Sequence, residues 1–268
     1  MGFFVFHLSH RFDLRCHFCL FGCVESFDSR LKGTYIIMHE TKLEKRLKYS
    51  VSIAMFAAIA YICVFVFRIK VSFLTLDVKD AVMAVGALSL GSVAGILISL
   101  IVALLEFITV SDTGVYGLIM NFLSSASFTL TASLIYRFRR RLLGAVLGLV
   151  SAVFVTTSVM MLANLFITPF YMGVERALVV DLIPTLLLPF NLTKSTLNAA
   201  VVLLLYKPLT TALARAGLAR RLDGKKEKSY TRLLTPRTIL LWCISILIIA
   251  ACVTVLIVGL GGSFKLFA

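Results

Sequence analysis

Residues 181–207 read DLIPTLLLPFNLTKSTLNAAVVLLLYK, an apolar stretch long enough to cross a membrane that nevertheless carries a lysine near its middle. About 20 apolar residues span the roughly 30 Å hydrocarbon core of a bilayer. Asn191, Lys194 and Asn198 come after Pro184 and Pro189, at a spacing that places the three polar side chains on one helix face. A charged side chain in a spanning helix faces a bundle interior or a wet cavity instead of lipid. The stretch therefore predicts a ligand site, and the alternative is a lysine that snorkels to a lipid headgroup or caps neighbouring carbonyls.

The composition of the whole chain is that of a polytopic α-helical membrane protein. Of its 268 residues, 60% are hydrophobic and 15% are charged, whereas soluble domains are about 45–50% apolar. Lys and Arg together number 27 against 13 Asp and Glu, which gives a net charge of +14. These basic residues lie mainly in short segments between apolar runs. That is the positive-inside pattern of a membrane protein and not the basic face of a nucleic-acid-binding protein.

The apolar runs divide the chain into four parts. Residues 1–40 lack helical periodicity and are predicted to be a disordered N-terminal extension. Residues 41–207 are predicted to form a compact six-helix membrane bundle, residues 208–237 a basic cytoplasmic linker, and residues 238–260 one additional transmembrane helix. The fold class is thus all-α. The loop charges predict a multi-pass protein of the cell membrane with a cytoplasmic N-terminus.

The first three helices of the predicted bundle carry two features of interest. Ser50, Ala54 and Ala58 recur every four residues along the first helix, a small-residue stripe that lets another helix approach closely. The pattern alone does not decide between internal packing and docking of a partner. The second helix, residues 80–90, is short and punctuated by glycine, which is typical of an element that lines a cavity. Glu106, near the end of the third helix, is expected to be interfacial.

The fourth and fifth helices each contribute an asparagine. Asn121 in residues 114–136, together with Ser124 and Ser125, marks the face that is expected to point inward. Asn164 lies in the outer part of the fifth helix, residues 142–168, which Pro169 is expected to end. The sequence contains no GxxxxGK[ST] motif, no His/Glu metal pair, and no nucleophile with a base nearby. It therefore predicts transport or ligand capture, with no catalytic residues, metal site or cofactor.

Six short segments resemble the riboflavin-specific substrate-binding (S) components of energy-coupling-factor (ECF) vitamin transporters. They are FLTLDVKD in the first outer loop, the glycine-punctuated second helix, MNFLSS in the fourth helix, ANLFITPFY at the end of the fifth, and LLPFNLTKSTLNA with LLLYKPL in the sixth. Their order and spacing together, over residues 45–210, carry the resemblance. It implies a six-helix bundle that captures riboflavin at its outer face for ATP-driven uptake.

The resemblance also implies roles for particular residues. Asn191, Lys194 and Asn164 would bind the flavin by hydrogen bonds, and the first outer loop would act as a lid. The full candidate set for substrate binding is Asn164, Asn191, Lys194, Asn198, Asn121, Leu74, Leu76 and Asp77. Ala54 and Ala58 would dock the transmembrane coupling subunit, whose two ABC ATPases supply the energy.

A flavin also suits the chemistry of the candidate residues, because asparagines can donate and accept while a lysine donates to ring carbonyls. Phe190, Phe166 and Leu187 are expected to cover its flat ring. The additional C-terminal helix and the N-terminal extension depart from the family pattern, and the last helix is expected only to anchor or to pack. Three alternatives remain: an S component for another vitamin, a small secondary transporter, and a membrane scaffold without a small ligand.

Overall fold

The structure is a computed structural model, and it describes residues 42–66, 68–72, 74–110, 113–139, 142–215, 236–259 and 263–265. The predicted N-terminal extension and most of the predicted basic linker lie outside these ranges. Residues 42–48 form the beginning of the first helix.

Eight α-helices follow one another in the described part of the chain, and three of them adjoin a π-helical segment. The α-helices are α1 (Lys42–Val66), α2 (Lys79–Leu90), α3 (Ser92–Thr109), α4 (Gly114–Phe138), α5 (Leu142–Met172), α6 (Arg176–Leu182), α7 (Leu188–Arg215) and α8 (Pro236–Thr254). The π-helical segments are Ile183–Leu187, which joins α6 to α7, and Val255–Gly259, which continues α8.

Within the residues that the structure describes, six helical stretches are long and apolar enough to cross a membrane. They are Arg46–Val66, Ser92–Thr109, Gly114–Phe138, Leu142–Phe170, Arg176–Pro208 and Thr238–Gly259. The seven membrane helices predicted from the sequence exceed this number by one, because α2 has only 12 residues. At 1.5 Å per residue it extends about 18 Å, well short of the hydrocarbon core. The prediction that this second helix is short is confirmed.

Two small residues allow the helices to approach one another closely. Gly86 in α2 lies against α1 and α3, and a Cβ atom there would fall 2.9 Å from Ile98 Cδ1 and 3.1 Å from Phe56 Cγ. Gly148 in α5 lies against α4, where a Cβ atom would come within 2.7 Å of the carbonyl oxygen of Ala132. Both contacts are too close for a larger side chain, so these glycines set the spacing of the bundle.

Prolines do not end the helices where the sequence predicts. Pro169 lies inside α5, which continues to Met172, so the expectation that the helix ends there is wrong. Pro208 likewise lies inside α7, which runs past residue 207 to Arg215. Helices packed in a bundle tolerate proline because neighbouring groups and local changes of helix geometry satisfy the freed carbonyls. Pro184 shows such a change, since it lies within the π-helical segment Ile183–Leu187.

The first outer loop, which follows α1, is a β-hairpin that belongs to a three-stranded sheet. Strand β1 (Arg68–Val71) pairs antiparallel with β2 (Leu74–Leu76), and its other edge pairs antiparallel with β3 (Ser263–Lys265), near the C-terminus. The order in the sheet is β2-β1-β3. The C-terminal end of the chain thus returns to the first loop, which the sequence did not indicate.

Candidate ligand-binding site

A cavity of about 320 Å³ lies beneath the hairpin, at the end of the bundle where α3 ends and α4 begins. Hairpin residues line one side, and the later part of α5 and the beginning of α7 line the other. Its volume is at the lower end of the roughly 300–1,000 Å³ of ligand pockets. Six predicted site residues line this cavity: Asn121, Asn164, Asn191, Lys194, Leu74 and Asp77.

Lys194 is buried in α7 and its ammonium group faces the hairpin. The residue is 8% exposed, and its Nζ atom lies 3.4 Å from both Asp77 Oδ2 and the carbonyl oxygen of Thr75. Because the side chain points into the protein, the alternative that it snorkels to a headgroup is wrong, whereas its contact with the carbonyl oxygen of Thr75 agrees with the carbonyl-capping alternative. Both contacts are longer than the usual 2.7–2.9 Å of a charge-assisted hydrogen bond, so the ammonium retains the capacity for a closer acceptor.

A second ion pair, Lys79 with Glu106, lies at the same cavity. Lys79 Nζ is 2.6 Å from both carboxylate oxygens of Glu106, and Asn121 Nδ2 donates to Glu106 Oε2 over 2.8 Å. Glu106 is only 4% exposed, so the expectation that it is interfacial is wrong. The reason is that α2 begins at Lys79 and presents that lysine to α3. The Lys79 in DVKD, directly before a short buried helix, was the signal that could have indicated this pair.

Asp77 lies between the two lysines, and the ion pairs with both are made by one of its two carboxylate oxygens. Its Oδ2 atom lies 3.4 Å from the Nζ atoms of both Lys79 and Lys194. Its buried Oδ1 atom accepts no hydrogen bond from the described residues. Burial favours a raised pKa for Asp77, but the ammonium groups of Lys194 and Lys79 outweigh burial and hold the pKa below its usual range. Asp77 is therefore an ionised acceptor at neutral pH.

The two asparagines that the resemblance assigns to the ligand are partly engaged by their own helices. Asn191 donates through Nδ2 to the carbonyl oxygen of Leu187 over 2.8 Å. Asn164 donates to the carbonyl oxygen of Met160 over 2.7 Å and accepts from Thr168 over 2.9 Å. An amide has two N–H groups and two lone pairs, so each asparagine keeps donor and acceptor capacity for a ligand.

Two predicted site residues support the cavity from outside it. Asn198 is fully buried, accepts from the backbone N–H of Ala81 over 2.9 Å, and donates to the carbonyl oxygen of Asp77 over 3.1 Å. It thus ties α7 to the beginning of α2. Leu76 is 2% exposed and packs in an apolar cluster with Phe190 behind the cavity wall. Neither Asn198 nor Leu76 lines the cavity.

Of the three residues expected to cover a flat ring, only Phe190 lines the cavity. Leu187 is fully buried elsewhere, and Phe166 is 56% exposed on the outer surface of α5. The structure instead supplies Tyr116, Met120 and Met160 as large side chains at the cavity. They were missed because a helix pattern shows which residues share a face but not which face meets a cavity.

The stripe of small residues on α1 lies on the surface. Ser50, Ala54 and Ala58 are exposed, whereas Ser52, Ala57 and Ala60 of the same helix are buried. The stripe therefore does not pack inside the described part of this chain.

Residues 48–206 match the family described as the substrate-specific component of ECF transporters. This chain belongs to that family, which confirms the resemblance to S components. It is a subunit of a transporter and not an enzyme, with a substrate and an ECF module as its partners, and it is a multi-pass membrane protein. The secondary-transporter and scaffold alternatives are thereby excluded.

Two comparisons with individual proteins agree with the family. The chain is 34% identical over 178 residues to the riboflavin transporter RibU of Staphylococcus aureus (strain TCH60), an alignment that covers 63% of this chain and 93% of the relative. It is also similar to a solved S component of a bacterial ECF transporter, with a TM-score of 0.55 and 32% identity. That match covers 63% of this chain and 98% of the solved one.

Proposed function

We propose that this S component captures riboflavin in the cavity beneath the hairpin and delivers it for ATP-driven uptake. The proposal is carried by two polar groups at the cavity. One is an ammonium group with only long contacts, and the other is a carboxylate oxygen that accepts no hydrogen bond from the described residues. Lys194 Nζ has only 3.4 Å contacts, and Asp77 Oδ1 accepts nothing from the described residues. The similarity to a riboflavin transporter supports the same substrate.

The pyrimidine edge of a flavin is complementary to this wall. It carries an imide N–H between two carbonyl groups, so it presents an acceptor, a donor and an acceptor in a row. Asp77 would accept from the imide N–H, while Lys194 and Asn191 would donate to the flanking carbonyls. A buried polar group left unpaired costs about 1–3 kcal/mol, so a ligand that lacks one of these groups would be rejected.

The remaining cavity residues would hold the rest of the molecule. Asn164 and Asn121 have amide groups suited to the hydroxyls of the ribityl chain, and Phe190 offers a flat apolar contact to the ring. Leu74 in the hairpin would close over the ligand, with Leu76 and Asn198 holding the hairpin and α7 in place.

The orientation and the partners follow from charge and exposure. Arg137 and Arg139 lie at the end of α4 far from the cavity, which favours a cavity at the outer face of the cell membrane and a cytoplasmic N-terminus. A six-helix domain at 41–207, with α2 as its short member, would be followed by the basic linker and the additional helix. The exposed Ala54 and Ala58 offer a docking surface to the transmembrane coupling subunit, which works with two ABC ATPases.

Titration of riboflavin into the purified full chain, followed by quenching of flavin fluorescence, tests the substrate. The variant Lys194→Met keeps most of the side-chain length but removes every donor. We expect its affinity for riboflavin to fall by about 1.5–3 kcal/mol, or roughly 10- to 150-fold. Thermal melts without ligand accompany the titration, because Asp77 loses one of its two ammonium partners in this variant.

Thr196→Val is the matched control, since Thr196 donates to the carbonyl oxygen of Leu192 in its own helix and does not line the cavity. Its affinity should equal that of the wild type. Failure of the wild type to bind riboflavin, with tight binding of a different vitamin, would contradict the substrate while leaving the family unchanged.

A second experiment tests the docking surface. The double variant Ala54→Leu, Ala58→Leu should lose uptake in cells that express the ECF module, because bulky side chains block close helix approach. Affinity for riboflavin should stay within about twofold, since the stripe lies outside the cavity. Unimpaired uptake would show that docking uses another face.

A further inference from the structure

The C-terminal helix packs directly behind the wall of the cavity. Cys252 is 8% exposed and Leu256 is fully buried, and both belong to one apolar cluster with Val71 and Leu76 of the hairpin and with Phe190 of α7. Ile248, Ile249 and Val253 pack against the same cluster. The segment from α8 to Gly259 therefore does more than anchor the chain in the bilayer.

Two residues connect this cluster to the cavity. Leu74 and Phe190 both line the cavity, and both also pack in the cluster that holds Cys252 and Leu256. Each thus belongs both to the lining of the ligand space and to the apolar cluster that the C-terminal helix shares. Because protein interiors are close-packed, a change on the far side of these residues is transmitted to the near side.

Strand β3, near the C-terminus, adds backbone pairing with the hairpin to the side-chain packing of the cluster. Strand β3 pairs with β1 along its outer edge, in the register Arg68 with Lys265, Ile69 with Phe264, and Lys70 with Ser263. Without β3, the outer edge of β1 would lack a partner strand, and a two-stranded hairpin alone is marginally stable in water. The hairpin is therefore held from two directions by the same C-terminal segment.

We propose that the described C-terminal segments, residues 236–259 and 263–265, form a clamp that positions the hairpin over the cavity and slows the exchange of ligand. The clamp rests on the proposed function in that the hairpin covers the site where the substrate binds. It sets how fast riboflavin enters and leaves, and none of its described residues lines the cavity. It acts through Leu74 and Phe190, so its residues are positioning residues. A segment that merely anchors the protein would leave exchange rates unchanged.

A reversible crosslink between the clamp and the hairpin tests the proposal in the full chain. Lys70 and Ser263 are register partners, and facing residues of antiparallel strands have Cα atoms about 4.5–5.5 Å apart, within the 4.4–6.8 Å range of disulfides. In the double variant Lys70→Cys, Ser263→Cys, oxidation should slow dissociation of riboflavin by roughly tenfold, equivalent to ~1.4 kcal/mol in barrier height. Reduction should restore the original rate, and each single variant should show no redox dependence.

Failure of the disulfide to form would show that the two strands are not adjacent, which overturns the clamp. A disulfide that forms without any change in the dissociation rate overturns it as well. Dissociation is measured by stopped-flow recovery of flavin fluorescence after excess competing flavin is added.

A second experiment, which needs no ligand, compares one substitution that loosens the clamp with one control substitution. Leu256→Ala removes a fully buried contact of the cluster, and Leu247→Ala is its control because Leu247 is 69% exposed on the same helix. Both are made with Ser124→Cys, which places a thiol at the cavity. A water-soluble maleimide should label the introduced thiol several-fold faster in the Leu256→Ala protein than in its control, as read by peptide mass. Equal labelling rates in two folded proteins would overturn the clamp.

The two measurements separate the clamp from the substrate assignment. If the wild type binds no riboflavin, the proposed function is wrong, and the labelling rates still decide whether the C-terminal segment restrains the hairpin. If riboflavin binds but neither exchange nor labelling responds, the clamp is wrong and the substrate assignment stands.

Discussion

Helices α7 and α8 pack side by side, yet they serve the cavity in opposite ways. α7 buries Asn191, Lys194 and Asn198, three polar residues that are costly in a membrane and lie at or beside the ligand space. α8 and its continuation are mostly apolar, and they reach the cavity only through Leu74 and Phe190. The two proposals therefore assign recognition and restraint to neighbouring helices: the polar helix would supply contacts to the ligand, and the apolar helix would hold the covering hairpin in place.

The largest effect is expected where the charges beside α7 are disrupted. Glu106→Leu leaves Lys79 with Asp77 as its remaining ion-pair partner at 3.4 Å. Removing one partner of a buried pair costs about 3–5 kcal/mol, so the free energy of unfolding should fall by that amount, as measured by denaturant titration in detergent. Asp181→Asn, at an exposed carboxylate, should change stability by less than about 0.5 kcal/mol. Equal stability of the two variants would contradict the buried pair.

Two substitutions, each of which removes one polar side chain, compare α7 with α8 directly. Asn198→Leu in α7 removes the amide that joins the backbone of Ala81 to that of Asp77, and each buried group left unsatisfied costs about 1–3 kcal/mol. Thr254→Val in α8 removes only a bond to the carbonyl oxygen of Ala250 in the same helix, and its effect should be below about 0.5 kcal/mol. Thermal melts of both proteins measure the difference. Similar losses from both would mean that α7 holds no special polar contacts.

One substitution in α8 should act in the opposite direction. Ser245 is 1% exposed, and its hydroxyl has no hydrogen-bond partner among the described residues. Ser245→Ala removes this unsatisfied group, so it should stabilise the protein by up to about 1 kcal/mol. A clear loss of stability in the melt would show that the hydroxyl has a partner after all.

The smallest effect concerns pH. The lowered pKa of Asp77, caused by Lys194 and Lys79 against the opposing effect of burial, keeps the carboxylate charged well below neutral pH. Riboflavin affinity should therefore be constant from about pH 8 to pH 5, and should fall only as the pH drops through a pKa below the ordinary aspartate value of about 3.9. Fluorescence titrations at several pH values measure this. A midpoint between pH 5 and pH 8 would mean that Asp77 is not held ionised as described.

The inward polar face of α7 could be predicted from the sequence, whereas the contacts of α8 could not. Lys194 is conspicuous in an apolar stretch, and its cost in a membrane predicts an inward position on general grounds. The pairing of Lys79 with Glu106 depends on how α2 meets α3, so the sequence suggested an interfacial Glu106 instead. The apolar cluster that Leu256 shares with the hairpin was equally hidden, because an apolar helix pattern is the same whether its face meets lipid or protein. The pairing of β3 with β1 joins segments nearly 200 residues apart, which no local pattern indicates.

The central claim is that Asp77 accepts a hydrogen bond from the imide N–H of the flavin beside Lys194. The most direct test is a thermodynamic cycle with riboflavin and 3-methylriboflavin, which lacks that N–H, against the wild type and Asp77→Asn. Fluorescence titration gives the four affinities, and the cycle cancels the steric effect of the methyl group. We expect the wild type to prefer riboflavin by about 1 kcal/mol more than the variant does, because the amide oxygen of the variant still accepts a neutral hydrogen bond, which contributes less than one to a charged group. An equal preference in both proteins would contradict the claim and place the imide edge elsewhere in the cavity.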